Sequence, residues 1–147
     1  MAQADAEAVA GWRYPEPFSF YDWTADEDDL AELLDPGRRG EAYFAVEDED
    51  GELAGYFSFK PDGRTLVIGL GLRPDLTGQG LGGGFLAAGL DCGRERFAPE
   101  WFSLAVATFN ERAIKVYERS GFVRARVYMH RTNGADWEFV EMRRSAG

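Results

Sequence analysis

The 147-residue chain is poor in several things at once: it has one cysteine, one histidine and no run of 18 or more apolar residues. A lone cysteine, Cys92, excludes an internal disulfide and fits a reducing, cytoplasmic setting. Without a long apolar run no membrane-spanning helix is expected. The opening Met1-Ala2-Gln3-Ala4-Asp5 lacks the basic start and apolar core of a signal peptide. No His/Cys/Asp group has metal-ligand spacing, so no metal is expected. Positive charge is short too: 16 Lys and Arg stand against 26 Asp and Glu, a net charge of −10, which argues against nucleic acid as a partner.

What is present is a folded core. Hydrophobic residues make up 45% of the chain and aromatics 14%, and the length suits one domain, residues 1–147. The charge is unevenly placed. Residues 1–62 hold 17 Asp and Glu against 4 Lys and Arg, a net of −13; residues 63–147 are +3. This division suits an anionic ligand on the C-terminal half and a cationic one facing the N-terminal half. For most of these carboxylates a solvated acidic surface is the simpler account.

In chain order, Ala2–Gly11 reads as a short alanine-rich helix. Trp12 to Tyr14, Phe18, Phe20, Tyr21 and Trp23 put six aromatics in twelve residues, broken by Pro15 and Pro17. That segment is either a loop over the core or the wall of an apolar pocket. Thr24 is placed to cap a helix over Ala25–Leu34, ended by Pro36-Gly37. Strands follow at Ala42–Val46 and Leu53–Phe59 around the Asp50-Gly51 turn, with a second turn at Pro61-Asp62-Gly63 leading into Arg64–Arg73. Gln79 to Phe97 has helical spacing at Leu81, Phe85, Ala88 and Cys92, widened by Leu86 and Leu90. Gly89 and Gly93 are assigned to tight packing on the sheet. Trp101–Ala107 is a strand that a helix joins to 65–73, so the two should run parallel. Asn110 caps a helix through Ser120, with Ala113, Ile114 and Tyr117 facing inward and Glu111 and Lys115 spaced to pair outside. Phe122–Arg131 and Asp136–Arg143 form a last hairpin about Asn133-Gly134.

The chemistry centres on 66–86, an apolar strand, a turn at Pro74-Asp75, then glycines at 78, 80, 82, 83 and 84. Free N–H groups at a helix start, with the dipole behind them, make an anion site. The loop Thr77-Gly78-Gln79-Gly80-Leu81-Gly82 resembles the pyrophosphate loop of the GNAT acetyltransferases. The stretch Asn110-Glu111-Arg112-Ala113-Ile114-Lys115-Val116-Tyr117-Glu118-Arg119-Ser120-Gly121-Phe122 resembles that family's second signature. The resemblance spans residues 40–143. It implies an α/β (α+β) GNAT fold: a mixed sheet of about six strands, mostly antiparallel, with a parallel pair splayed at a cofactor cleft. The family's first strand is expected to be absent, since the chain opens on a helix. Within the family the chain resembles bacterial acetyltransferases of small amines or N-terminal amines.

The resemblance implies acetyl-CoA as cofactor. Leu70, Gly71 and Leu72 would pair with the pantetheine arm through their backbone. Gly78, Gln79, Gly80, Leu81, Gly82 and Gly83 would hold the pyrophosphate. Asn110 and Ala113 would border the arm, and Tyr117 would touch the cofactor and act as general acid. Two departures stand out. Thr77 occupies a position where the family has Gln or Arg. The strand before the loop, Thr65–Leu72, carries no carboxylate, so the base found there in many members is excluded. Glu47, Glu100, Glu138, Glu141 or a water chain remain as bases, with water the default route; His130 is assigned a surface or structural role. The function implied is acetyl transfer to a primary amine, a small molecule or peptide N-terminus, by direct attack. A non-catalytic acyl-CoA-binding module is the alternative. No nucleic acid or membrane partner is expected, and a homodimer is left open.

Overall fold

The computed structural model describes residues 1–147. Six strands form one sheet in the order β1-β2-β3-β4-β6-β5: β1 Tyr43–Glu47, β2 Leu53–Asp62, β3 Thr65–Leu72, β4 Trp101–Ala107, β5 Val123–Thr132 and β6 Ala135–Ser145. Only β3 and β4 run parallel; all other neighbours are antiparallel. The helices are α1 Gln3–Ala10, α2 Glu27–Leu34, α3 Pro36–Arg39, α4 Gly82–Phe97 and α5 Glu111–Arg119. β1 and β5 are the two edges of the sheet. No helix is long and apolar enough to cross a membrane.

Alternation along β2 sorts the layers. Phe57 and Phe59 point to one face, where they join Leu66, Ile68, Phe102 and Leu104 beneath Leu86 and Leu90 of α4 and Ile114 of α5. Tyr56 points to the other, where it meets a smaller core of Ala6 and Val9 from α1, Trp12 just after it, and Leu33 from α2. The acidic N-terminal third thus covers one face and the glycine-rich helix the other.

The buried face of α4 is Leu86, Gly89, Leu90 and Gly93, rotated from the expected stripe; Leu81 is exposed. The glycines cause the rotation by letting the helix axis come close to the sheet. A Cβ at Gly89 would lie 2.8 Å from the Phe57 ring, and one at Gly93 2.9 Å from Leu66 and 3.0 Å from Phe102. Alanine would gain roughly 1 kcal/mol of helix propensity, yet Phe57 is stacked on Phe85 and packed against Phe59 and cannot step aside freely. Gly89→Ala is therefore expected to lower stability, by about 1–3 kcal/mol in denaturant titration.

Three local features differ from expectation. Asp26, rather than Thr24, caps α2: one carboxylate oxygen accepts from the N–H groups of Asp28 (3.0 Å) and Asp29 (3.1 Å). A carboxylate is the stronger acceptor at a helix start. Asp26 also reaches the β5–β6 turn, accepting from Thr132 Oγ1 and Asn133 N. Pro36-Gly37 does not merely end α2; it opens α3, capped by Asp35. The β2–β3 turn falls at Gly63-Arg64, with Pro61 and Asp62 still paired in β2.

Candidate active site

Pairing of β3 with β4 covers only Thr65–Trp101, Leu66–Phe102 and Val67–Ser103. Beyond Val67 the strands part. The gap is a cleft of about 850 Å³ bordered by Ile68 to Leu72 on one side and Leu104 to Val106 on the other. β3 stays fully paired to β2 out to Leu72, so beyond Val67 its backbone on the β4 side, apart from the Leu72 carbonyl held by Tyr14, is free to bond an extended ligand as an added strand. Beyond Val67, β3 carries only glycines, Gly69 and Gly71, on the face opposite α4. A Cβ at Gly69 would lie 2.3 Å from Ser58 Oγ, and one at Gly71 2.4 Å from the Tyr56 ring. A carboxylate side chain at position 71 has no room beside the Tyr56 ring.

One end of the cleft is the glycine loop. Gly78 and Gly80 sit at φ +72° and +77°, which a glycine adopts without strain. The N–H groups of Gly78, Gln79, Gly80 and Leu81 make no hydrogen bond within the chain, and nor do those of the first α4 turn, Gly82 to Gly84. No side chain caps α4. The Gln79 amide is turned away, donating to the Asp75 carbonyl, and Thr77 Oγ1 donates to the Pro74 carbonyl at 2.8 Å. A Cβ at Gly80, Gly83 or Gly84 would meet nothing within 4 Å. Nothing in the protein itself calls for glycine at 83 and 84. Uncapped donors facing open space fit a pyrophosphate.

Sequence reasoning missed the cations beside this loop. Arg112, Lys115 and Arg119 all line the cleft from α5, and none pairs with a carboxylate. Lys115 does not form the expected pair with Glu111. Arg112 lies over the Phe18 ring at 4.4 Å and beside Gly78. It supplies a cation near the loop where Thr77 supplies none. The i, i+3, i+7 spacing of these three residues was the available signal.

The floor of the cleft is Tyr117 with Asn110 and Ala113. Asn110 Oδ1 accepts from Ala113 N at 3.2 Å, the expected cap. Its Nδ2 donates to the Tyr21 hydroxyl at 3.3 Å, as does the backbone N–H of Ala107. Both ends of the Asn110 amide are thus engaged inside the chain, and the residue positions Tyr21 and α5. The Tyr117 hydroxyl has no hydrogen-bond partner in the protein yet is not a sealed polar atom; it opens on the cleft. Burial, and then the neighbouring Tyr21, raise its pKa well above the ordinary phenol value. It holds its proton throughout the neutral and mildly alkaline range.

The aromatic segment is the pocket wall. Tyr14, Phe18 and Tyr21 line the cleft, and Tyr14 Oη donates to the Leu72 carbonyl at 2.7 Å, fixing the end of β3. None of the carboxylates at Glu47, Glu100, Glu138 or Glu141 borders the cleft. Glu100 pairs with Arg64, Glu141 with Arg126, and Glu138 accepts from Thr108 Oγ1. No group of His, Cys, Asp and Glu has the geometry of a metal site.

Burial raises the pKa of Tyr14, Tyr21, Tyr56 and Tyr117. In the unfolded chain these phenols ionise from about pH 10. The folded chain then binds more protons than the unfolded one, so stability is fully present below pH 10 and falls above it. Each group removes up to about 1.4 kcal/mol per pH unit. The melting temperature is expected to drop steeply from pH 10 to 11 and to be flat from pH 8 to 9.

The family model for the acetyltransferase (GNAT) family matches residues 6–122. The chain belongs to the GNAT acetyltransferase family. Mycothiol acetyltransferase of Clavibacter sepedonicus is 43% identical over 76 residues, which is 51% of this chain and 25% of that protein. The corresponding protein of Clavibacter michiganensis subsp. michiganensis is 41% identical over 76 residues, 51% of this chain and 24% of that one. The chain therefore aligns with about a quarter of the length of these relatives. In fold it is similar to spermidine N-acetyltransferase of Vibrio cholerae in complex with CoA and spermine. The TM-score is 0.78 at 21% identity, over 99% of this chain and 92% of that one. The expected GNAT fold, with its parallel pair splayed at the cleft, is the one observed.

Proposed function

We propose that this chain is an acetyl-CoA-dependent N-acetyltransferase acting on a primary amine by direct attack. The observation that carries the reading is the meeting of three features in one cleft: unpaired β3 backbone, an uncapped glycine-rich helix start, and a free Tyr117 hydroxyl. When bound, acetyl-CoA would supply an acyl carbon activated as a thioester and a thiolate leaving group. Gly78 to Gly83 and Arg112 would hold its pyrophosphate, and Leu70 to Leu72 its pantetheine arm. An N–H of that strand would polarise the carbonyl oxygen. The amine nitrogen forms the new C–N bond as the C–S bond breaks. Tyr117 gives its proton to the departing sulfur and regains one from solvent. The nitrogen would lose two protons to water, one on leaving the ammonium form and one as the amide forms; Glu47, Glu100, Glu138 and Glu141 do not border the cleft, and Glu111, which does, sits at the start of α5. The amine class is supported by the spermidine N-acetyltransferase likeness in fold and by the acidic N-terminal third.

The test is release of free thiol from acetyl-CoA on addition of amines, with the N-acetyl product identified by mass spectrometry. Binding of acetyl-CoA without any acetylated product across amines and peptide N-termini would leave only the acyl-CoA-binding alternative.

A further inference from the structure

Four tyrosines line the cleft, Tyr14, Tyr21, Tyr56 and Tyr117, and they use their hydroxyls differently. Tyr14 gives its proton to the Leu72 carbonyl. Tyr56 is turned toward the smaller core, beside Trp23. Tyr117 has no partner in the protein. Tyr21 is the reverse of Tyr14. Its oxygen accepts from the Ala107 N–H and from Asn110 Nδ2, both at 3.3 Å, while its own proton goes to no group of the protein.

Both donors are fixed by the fold. Asn110 Oδ1 is taken by the α5 cap, accepting from Ala113 N, so the nitrogen end of the amide is the one that meets Tyr21. Thr108 N turns to β6, donating to the Glu138 carbonyl. One residue back, the buried Ala107 N–H turns the other way, toward the side where β3 has parted. Tyr21 satisfies it there, so the hydroxyl stands in the gap between the two strands. Continuing the register of Val67 with Ser103 puts Ala107 level with Gly71. Arg73 N turns to β2, donating to the Ala54 carbonyl; by alternation the Leu72 and Leu70 N–H groups face the gap. Tyr21 O–H and these N–H groups thus look at each other across the cleft. Burial raises the Tyr21 pKa, against the two bonds it accepts, and it keeps its proton at neutral pH.

Resting on the acetyltransferase reading above, we propose that Tyr21 is a second catalytic residue, its hydroxyl donating to the acetyl oxygen from the β4 side while a β3 N–H donates from the other. Tyr21 is also the titratable group whose charge bears on Tyr117. Sulfur and carbonyl oxygen share one carbon, so the donors that serve them must be neighbours. As the amine lone pair forms the C–N bond, the carbonyl π pair moves onto oxygen, where a preorganised donor is worth most. Tyr21 shares its proton with that oxygen without giving it up. The pair returns to carbon as the C–S bond breaks and the sulfur takes the Tyr117 proton. A hydroxyl whose lone pairs are already engaged takes no proton from an ammonium, so Tyr21 is a donor and not the base.

The test is infrared difference spectroscopy of bound acetyl-CoA, carrying ¹³C at the acetyl carbonyl and without amine, beside steady-state kinetics. Tyr21→Phe is expected to move the C=O stretch to higher wavenumber. It should lower kcat about 10²- to 10³-fold, the usual worth of one such donor, with amine KM and acetyl-CoA affinity changed by less than about threefold. The loss should be equal for amines with and without an oxygen, because the acetyl oxygen is common to every acceptor. Incorporation of 3-fluorotyrosine at position 21 gives a stronger donor of nearly the same size. It should move the stretch to lower wavenumber, and it decides the matter should Tyr21→Phe fail to fold. A stretch that neither variant moves, an unchanged kcat in Tyr21→Phe, or a loss confined to oxygen-bearing amines overturns the proposal while acetyl transfer stands. Binding of acetyl-CoA with no acetylated product from any amine or peptide N-terminus overturns the acetyltransferase reading itself, and the role of Tyr21 falls with it.

Discussion

Replacing Tyr117 by phenylalanine is expected to lower kcat about 10²- to 10⁴-fold, the usual worth of a positioned proton donor, with acetyl-CoA affinity changed by less than about threefold. The size follows from two facts about the hydroxyl. It has no hydrogen-bond partner in the protein, so its loss leaves no orphaned group and little structural cost. Its pKa is pushed up by burial, so it keeps its proton at neutral and mildly alkaline pH. A thiolate departing into a largely apolar cleft without that proton is a poor leaving group. Stopped-flow measurement of thiol release, beside calorimetric binding of acetyl-CoA, separates the two effects. A phenylalanine variant as fast as the unaltered protein would move the acid elsewhere. An equal loss in binding and turnover would make Tyr117 a wall of the pocket and no more.

The second large effect is expected at Gly83. Glutamate there should fold at least as well as glycine. A Cβ would enter open space, any residue other than proline gains helix propensity over glycine, and a carboxylate in the first turn suits the dipole. Yet the same carboxylate would stand in the proposed pyrophosphate site. Acetyl-CoA affinity should fall at least 100-fold while the melting temperature holds or rises. Gly89→Ala should do the reverse, costing stability with little direct effect on the ligand. The two glycines of one helix would thus separate by cause, one kept for packing and the other for a ligand. A stable Gly83→Glu variant that binds acetyl-CoA normally would remove the phosphate site from the start of α4.

How far the residues alone revealed this can be judged element by element. The parallel pair was readable because a helix must join β3 to β4. The cleft between them was readable only through the family resemblance, since periodicity does not show where two strands part. Gly89 and Gly93 were readable as packing glycines because they sit within a helix, and both lie against sheet side chains; Gly82 to Gly84 were read as facing a ligand from their place at a helix start. The aromatic stretch 12–23 left two readings open: prolines and rings identify an irregular segment but not what it covers. It lines the cleft through Tyr14, Phe18 and Tyr21 while Trp12 fills the smaller core. Asp26 was hidden among four consecutive acids; its capping of α2 and its bonds to the β5–β6 turn, over 100 residues away, distinguish it. The cations of α5 were illegible for a related reason. A charge's significance lies in whether it has a partner, and partners come from the tertiary fold.

The most direct measurement of the central claim is a two-substrate kinetic analysis with acetyl-CoA and an amine, with the N-acetyl product identified by mass. Direct attack in a ternary complex predicts stoichiometric thiol and N-acetylamine and intersecting double-reciprocal lines. It also predicts no acetylated protein when acetyl-CoA is supplied alone. Parallel lines with an acetylated enzyme, or tight acetyl-CoA binding with no N-acetyl product from any amine, would contradict it.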